Sequence, residues 1–322
     1  MHYDVFNGDA DGIIALLQLR LAEPKESTLV TGVKRDIELL ESLNVRPGDT
    51  VTVLDISMEK NKTSLERLLS SGARVFYADH HKSGAIPEHN DLNAHINLDA
   101  NICTALIVDQ LLGGQYHNWA ITAAYGDNLI ARADELADKV GLSKSEQAQL
   151  KELGTLINYN GYGTDISDLH YTPAELFHAL LAYDDPFAVI ADPDSPYYTL
   201  QTAYQQDIAT ALSVKPYYQS QRLSVFELPD EAASRRISGV YGNLLANQTP
   251  DSAHAVLTRN QDGNYTVSLR APLNNKQGAG DICSMFATGG GRAAAAGINS
   301  LTQSELARFI QAVEEYYDSS QL

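Results

Sequence analysis

A chain of 322 residues with 44% hydrophobic and 20% charged positions carries enough apolar surface for two domains, and this balance excludes a disordered or fibrous protein. Lysine and arginine number 23 against 41 aspartate and glutamate, a formal net charge of −18. Such a charge repels polyanions at long range and argues against a long duplex nucleic acid as partner.

The first third of the chain alternates β-branched or aromatic runs with amphipathic stretches. Tyr3 to Phe6, Thr28 to Val33, Thr50 to Leu54 and Arg74 to Ala78 read as strands, and Gly12 to Leu21, Ile37 to Leu43 and Glu59 to Leu69 read as helices. Strands separated by helices at this spacing form βαβ units, so the predicted class is α/β with a mainly parallel N-terminal sheet. From Thr104 to about Leu223 the apolar spacing turns helical, in Leu106 to Leu112, Ile121 to Leu136, Ala148 to Ile157 and Ala174 to Leu181. Thr172-Pro173-Ala174-Glu175 is a capping box with proline at the first helical position, which marks a helix start. The polar stretch Glu227 to Glu231 reads as a linker into a second, smaller α/β pattern. There Arg236 to Tyr241, Ala253 to Thr258 and Tyr265 to Leu269 read as strands, and Arg292 to Ala296 and Gln303 to Tyr317 as helices.

The two cysteines, Cys103 and Cys283, match neither a disulfide framework nor a zinc site, so a reducing, cytoplasmic setting is expected. No basic leader is read at Met1 to Asp4, and the densest apolar run, Ile13 to Leu21, is broken by Gln18 and Arg20; no membrane partner is expected.

The acids and histidines fall at strand ends. Asn7-Gly8-Asp9-Ala10-Asp11-Gly12 follows the first strand, Asp55 the third, and Asp79-His80-His81 the fourth, all at carboxyl ends, where open parallel sheets bind ligands. Four carboxylates and two imidazoles converging there repel one another unless cations neutralise them. Carboxylate and imidazole without thiolate favour Mn²⁺ or Mg²⁺, with Co²⁺ or Fe²⁺ next, over structural zinc. The number of anionic ligands points to two ions, and paired ions clamp the attacking and leaving oxygens of a phosphoryl displacement. Taken singly, Asp9-Ala10-Asp11-Gly12 reads equally as a turn or an acid-rich helix start, and Asp79-His80-His81 as a solvated turn. An EF-hand loop is excluded, because Gly12 comes too early and Ile13-Ile14 replace later ligands. Asp127, at a glycine break in Tyr125-Gly126-Asp127-Asn128, is a further candidate ligand. The cluster Gly289-Gly290-Gly291-Arg292 offers bare amides and a guanidinium to phosphate, and Arg270 is a second candidate clamp. No Lys-Ser/Thr follows the glycines, so this is not a Walker A loop.

In order, these motifs resemble the DHH phosphoesterase superfamily, in the branch that carries a C-terminal DHHA1 domain, as in RecJ-like exonucleases and nanoRNase/pAp-phosphatase proteins. The resemblance spans nearly the whole chain and implies a metal-binding DHH domain with a helical connector over residues 1–225 and a DHHA1 substrate-binding domain over 226–322. By it, Asp9, Asp11, Asp55, His80 and Asp127 would hold two Mn²⁺ ions, with Asp55 bridging; Mg²⁺ or Co²⁺ could replace them. His81, with Asp79 and His80, would serve the catalytic step, and Arg270, Gly289, Gly290, Gly291 and Arg292 would hold substrate. Two departures stand out. Asn7 and Val5 occupy positions where many members carry a histidine, so the Asn7 carbonyl or water would complete the first metal. Arg292 replaces the usual histidine after the glycines and keeps phosphate binding without a group that titrates near neutrality.

The function expected is a two-metal phosphodiesterase that cleaves short 5′-phosphorylated oligonucleotides, especially dinucleotides such as pGpG, to mononucleotides. The alternatives are a pAp phosphatase or polyphosphate hydrolase on the same metals, or a non-catalytic nucleotide sensor. A processive exonuclease on long single strands is disfavoured by the acidic charge and the absence of a basic, aromatic-interleaved tract. A homodimer is expected by the resemblance alone.

Overall fold

A computed structural model describes residues 1–260 and 262–318. The chain divides into two compact units, Met1–Thr202 and Ala203–Leu322.

The first unit opens with β1 (His2–Phe6), α1 (Ala10–Ala22), β2 (Thr28–Val30), β3 (Thr50–Leu54), α2 (Lys62–Ser70), β4 (Arg74–Asp79) and β5 (Leu92–Ile96). The strands form one sheet in the order β2-β1-β3-β4-β5, and every ladder is parallel. The chain passes from β1 to β2 on one side and from β2 back across to β3 on the other, so the sheet has its switch point between β1 and β3, the edge where open parallel sheets bind ligands. The helices α3 (Thr104–Leu111), α4 (His117–Gly126), α5 (Ile130–Lys139), α6 (Lys144–Asn160), α7 (Pro173–Leu180) and α8 (Pro186–Ala191) follow. Helix α1 packs against α3, α4, α6 and α7 as well as the sheet. Ile13, Ile14, Leu16 and Leu17 are fully buried, which is why this stretch is apolar nearly all round rather than on one stripe. On the opposite face of the sheet, Val51, Val53, Val75 and Tyr77 pack on Leu65, Leu68 and Leu69 of α2. The Thr172 capping box is present at the start of α7.

The unit division falls within α9 (Pro196–Leu212). The second unit continues with β6 (Tyr218–Gln219), β7 (Leu223–Glu227), α10 (Ala232–Gln248), β8 (Ala253–Arg259), β9 (Tyr265–Arg270), α11 (Ala279–Ser284), β10 (Gly289–Gly291), β11 (Ala295–Leu301) and α12 (Leu306–Tyr316). Its sheet has the order β10-β11-β9-β8-β7-β6 and is mixed, with β7 and β8 parallel and the other ladders antiparallel. Val225, Leu257, Val267 and Leu269 form its core with Ile282, Phe309 and Val313, while α10 packs against β8 and β9.

Several expectations are corrected. Arg236 to Tyr241 is not a strand but the middle of α10. Its β-branched and aromatic residues, Ile237, Val240 and Tyr241, are buried at helical spacing, and tertiary packing overrides their strand propensity. Arg292 to Ala296 is not a helix: the glycine cluster is strand β10, and it turns back through Arg292 into β11 as an antiparallel hairpin. Alanine and glycine serve there for close backbone approach in a sheet, not for helix propensity. Ile37 to Leu43 is reduced to a 3₁₀ turn at Leu39–Ser42, whereas the glycine break expected within Ile121 to Leu136 is present, between α4 and α5. The polar stretch Glu227 to Glu231 joins β7 to α10 within the second unit, and the expected boundary after residue 225 falls inside β7. Strands β5, β6 and β7 were not foreseen.

Candidate metal centre

Each strand of the first sheet delivers its group by local chemistry. After β1, Asp9 caps α1: its Oδ1 accepts the Gly12 N–H at 3.0 Å. Only glycine fits at position 12, since a Cβ there would lie 2.2 Å from the Asn7 carbonyl oxygen. Asp11 follows in the first turn and reaches across to the start of α3, where Oδ2 accepts the Thr104 N–H and Oδ1 the Ala105 N–H, each at 2.7 Å. After β3, Asp55 adopts a left-handed backbone at φ 59°, a conformation that costs a non-glycine residue about 1–2 kcal/mol and tends to persist where function holds it. Its Oδ1 accepts the Thr104 hydroxyl at 3.1 Å.

At the end of β4, Asp79 is fully buried, and its Oδ1 lies 2.6 Å from His81 Nδ1. The neighbouring His80 is oriented by the chain after β5: its Nδ1 lies 2.7 Å from the Ile102 carbonyl oxygen, so Nδ1 must carry the proton. The lone pair of Nε2 then faces the acids, 3.2 Å from Asp55 Oδ1 and 3.5 Å from Asp11 Oδ2. A carbonyl behind one ring nitrogen and anions before the other is the arrangement of a metal-ligating histidine.

Asp127 arrives from the helical layer at the end of α4. Gly126 lies against Ala10 and against Gly154 of α6: a Cβ added at Gly126 would come within 2.6 Å of Ala10 Cβ, and one added at Gly154 within 2.2 Å of the Thr122 carbonyl oxygen. This glycine crossing draws the end of α4 onto the start of α1 and brings Asp127 to the cluster. Ligand atoms of Asp11, His80 and Asp127 lie within 4.8 Å of one another, as do those of Asp55, His80 and His81.

The charges are strongly coupled. Burial, then the Asp55 charge, holds the Asp11 carboxyl well above the usual carboxylate range. Asp55 is raised likewise by burial and by Asp9. Burial opposes ionisation of Asp9 and Asp79 too, but the Lys34 ammonium beside Asp9 and the imidazole of His81 beside Asp79 outweigh it and lower both. Buried carboxylates that cannot all ionise in the protein alone become compatible when a divalent cation joins them. Asp79 Oδ2 is buried with no hydrogen-bond partner. Cys103 is fully buried beside Asp11, and burial together with that charge pushes its thiol up, so it contributes no thiolate. The donor set of carboxylates and imidazole fits a hard or borderline divalent ion.

The structure therefore brings Asp9, Asp11, Asp55, Asp79, His80, His81 and Asp127 together at one sheet edge. Asn7 serves as a brace: its Oδ1 accepts the Asp9 N–H at 3.2 Å and its Nδ2 donates to the Lys34 carbonyl oxygen at 2.9 Å. Lys34 itself was missed, although it follows β2 at the same carboxyl edge and pairs with Asp9; the strand-end rule that located the acids applies to it equally. Thr104 was missed because its contacts depend on the α3 start.

In the second unit, Arg270 is buried under α10. It donates from Nε to Asn243 Oδ1 at 2.5 Å, from Nη1 to Ser268 Oγ at 2.9 Å and from Nη2 to the Gly239 carbonyl oxygen at 3.1 Å. Gly289, Gly290 and Gly291 form the β10 edge, and Arg292 sits in the hairpin turn, its N–H donating to the Ala295 carbonyl oxygen at 2.9 Å.

The DHHA1 domain model matches residues 220–319. No curated protein matches the sequence. Among solved structures, a DHH-domain protein described as a member of a family of ribosomal proteins is 14% identical, with a TM-score of 0.62 over 98% of this chain and 86% of that one. RecJ from Thermus thermophilus in complex with Mn²⁺ is 18% identical with a TM-score of 0.62, over 98% of this chain, which spans only 51% of that RecJ. The pGpG-specific phosphodiesterase PggH from Vibrio cholerae is 17% identical with a TM-score of 0.57 over 98% of both chains. The chain thus carries a DHHA1 domain over residues 220–319, and its fold is that of the DHH-domain and RecJ structures.

Proposed function

We propose that the protein is a metal-dependent phosphodiesterase that hydrolyses short 5′-phosphorylated oligonucleotides, dinucleotides such as pGpG above all, to mononucleotides. The observation that carries this reading is the meeting of Asp11, His80 and Asp127 in one group that could hold a divalent ion, overlapping a second that brings Asp55 and His81 to His80. Asp9, Asp11, Asp55, His80 and Asp127 would hold two Mn²⁺ ions, and bound there they would supply charge neutralisation at the scissile phosphate and a nucleophile at neutral pH. Asp79 accepts the Nδ1–H of His81 and so stabilises the ring in its doubly protonated form, whose Nε2–H would be given to the departing 3′ oxygen as water adds to the phosphorus, leaving the Nδ1–H tautomer. Arg292 and the β10 edge offer the substrate a guanidinium and amides, whereas Arg270 ties α10 to the sheet that carries them. The short-substrate reading is supported by the net charge of −18 and by full-length likeness to a pGpG phosphodiesterase. Among the described residues no helix is long and apolar enough to cross a membrane, and the reading places the work in the cytoplasm.

The test is product analysis with Mn²⁺ on 5′-phosphorylated dinucleotides and longer oligomers, beside His81→Gln and an Asp79→Ala/His80→Ala double variant. Mononucleotide release fastest from the dinucleotide, a His81→Gln loss of about 10²- to 10⁴-fold in kcat and unchanged metal content in that variant are expected. Silence on every oligomer overturns the reading; turnover of pAp or polyphosphate would then replace it, and nucleotide binding without turnover would make the protein a sensor.

A further inference from the structure

Lys34 is not a wandering surface lysine. Its N–H donates to the Gly161 carbonyl oxygen at 2.8 Å and its own carbonyl accepts from Asn7 Nδ2 at 2.9 Å, so its backbone is clamped on both sides. Asp36 Oδ2 accepts the Val33 N–H at 3.0 Å and Arg35 Nη2 donates to the Thr164 carbonyl oxygen at 3.1 Å, which fix the rest of the turn. The ammonium pairs with Asp9 Oδ2 and lies 5.5 Å from the centre of the Tyr162 ring. With Oδ1 on Gly12, both Asp9 oxygens have partners. Asp9 thus meets a permanent cation of the chain in hydrogen-bond contact, while Asp11 and Asp55 face His80 and each other.

We propose that Lys34 is a built-in monovalent competitor for Asp9, so that the centre fills in two unequal steps: one divalent ion binds tightly at Asp11, His80 and Asp127, and a second binds weakly at Asp9 and Asp55. The proposal rests on the metal centre described above. A unit positive charge in hydrogen-bond contact with a ligand carboxylate must be displaced or endured by an incoming dication, and either lowers its affinity. Lys34 also neutralises Asp9 when the second ion is absent, which keeps the α1 cap intact. About a third of its side chain, 31%, is open to solvent.

The test titrates Mn²⁺ alone into the metal-stripped full chain, by calorimetry and by loss of the free Mn²⁺ resonance, without substrate. Two steps differing at least tenfold are expected for the native chain. Lys34→Met should tighten the second step about tenfold or more, and Lys34→Arg should keep the native split. Lys34→Gln serves if the methionine variant fails to fold by circular dichroism. Equal affinities in the native chain, or a second step that Lys34→Met leaves unchanged or weakens, overturns the proposal and makes Lys34 a structural ion pair. Oligonucleotide turnover is followed on the same preparations. Two-step binding without turnover removes the function and keeps the role of Lys34; turnover with binding indifferent to Lys34 does the reverse.

Discussion

Asp11 holds the first turn of a helix that begins 93 residues later: its carboxylate accepts the Thr104 N–H at 2.7 Å, while the Thr104 hydroxyl turns to Asp55 Oδ1 at 3.1 Å. One residue thus links two acids whose carboxyls burial holds well above the usual range, Asp11 with the help of the Asp55 charge and Asp55 with that of Asp9.

Divalent ions should therefore stabilise the first unit and expel protons as they bind. Mn²⁺ at about a hundred times its dissociation constant is expected to add ~2.7 kcal/mol to the metal-stripped protein. Calorimetry in buffers of different ionisation enthalpy should register proton release, since ligand carboxyls must ionise to coordinate. Asp127→Asn, which removes a ligand of the tighter ion, should lose most of both effects. An identical melting temperature with EDTA and with Mn²⁺ would rule out a structural tie between ion and fold.

Gly154 carries no ligand, yet it should control the metal. Gly154→Ala places a Cβ 2.2 Å from the Thr122 carbonyl oxygen and pries α6 from α4. A stability loss of about 1–3 kcal/mol is expected from such overpacking, together with weaker Mn²⁺ binding as Asp127 is drawn away. Gly290→Ala, where a Cβ meets nothing within 4 Å, is the control and should change neither. Native metal affinity in a destabilised Gly154→Ala would show that the crossing does not position Asp127.

The second unit should be acid-sensitive through His254. Burial pushes this imidazole down from 6.5 to about 4, and it is only 2% exposed. Its folded pKa is depressed, so between these values the unfolded chain binds a proton that the native ring refuses. The contribution to stability is present above pH 6.5 and is lost as pH falls toward 4, on the order of 3 kcal/mol in all. Urea unfolding as a function of pH should show this slope, and His254→Leu should flatten it. Equal slopes in the two proteins would mean that other groups carry the acid response.

The parallel sheet and its acidic edge were legible because they depend on local signals: β-branched runs, helical spacing between them, and acids immediately after strands. Asp9, Asp55 and His80 needed no knowledge of the rest of the chain. What escaped depends on distant partners. Ile237, Val240 and Tyr241 have strand propensity, and only packing against β8 and β9 makes them helical. Gly289 to Gly291 read as a phosphate loop because bare backbone suits a turn and a crowded sheet alike, and β11 decides between them. Arg270 read as a clamp, but its bonds to Asn243, Ser268 and Gly239 appear only when α10 lies over β9. Lys34 follows a strand that was legible, but a lone lysine is no metal ligand, and only its ion pair with Asp9 gives it a part in the centre.

The left-handed backbone of Asp55 limits which replacements the position can bear. Asparagine tolerates that conformation nearly as well as aspartate does, whereas alanine, glutamate or a β-branched residue adds backbone strain to the loss of a ligand. Asp55→Asn is thus the variant best suited to silence the centre while keeping its shape, and so to serve as bait for capturing the natural substrate intact from a cell extract.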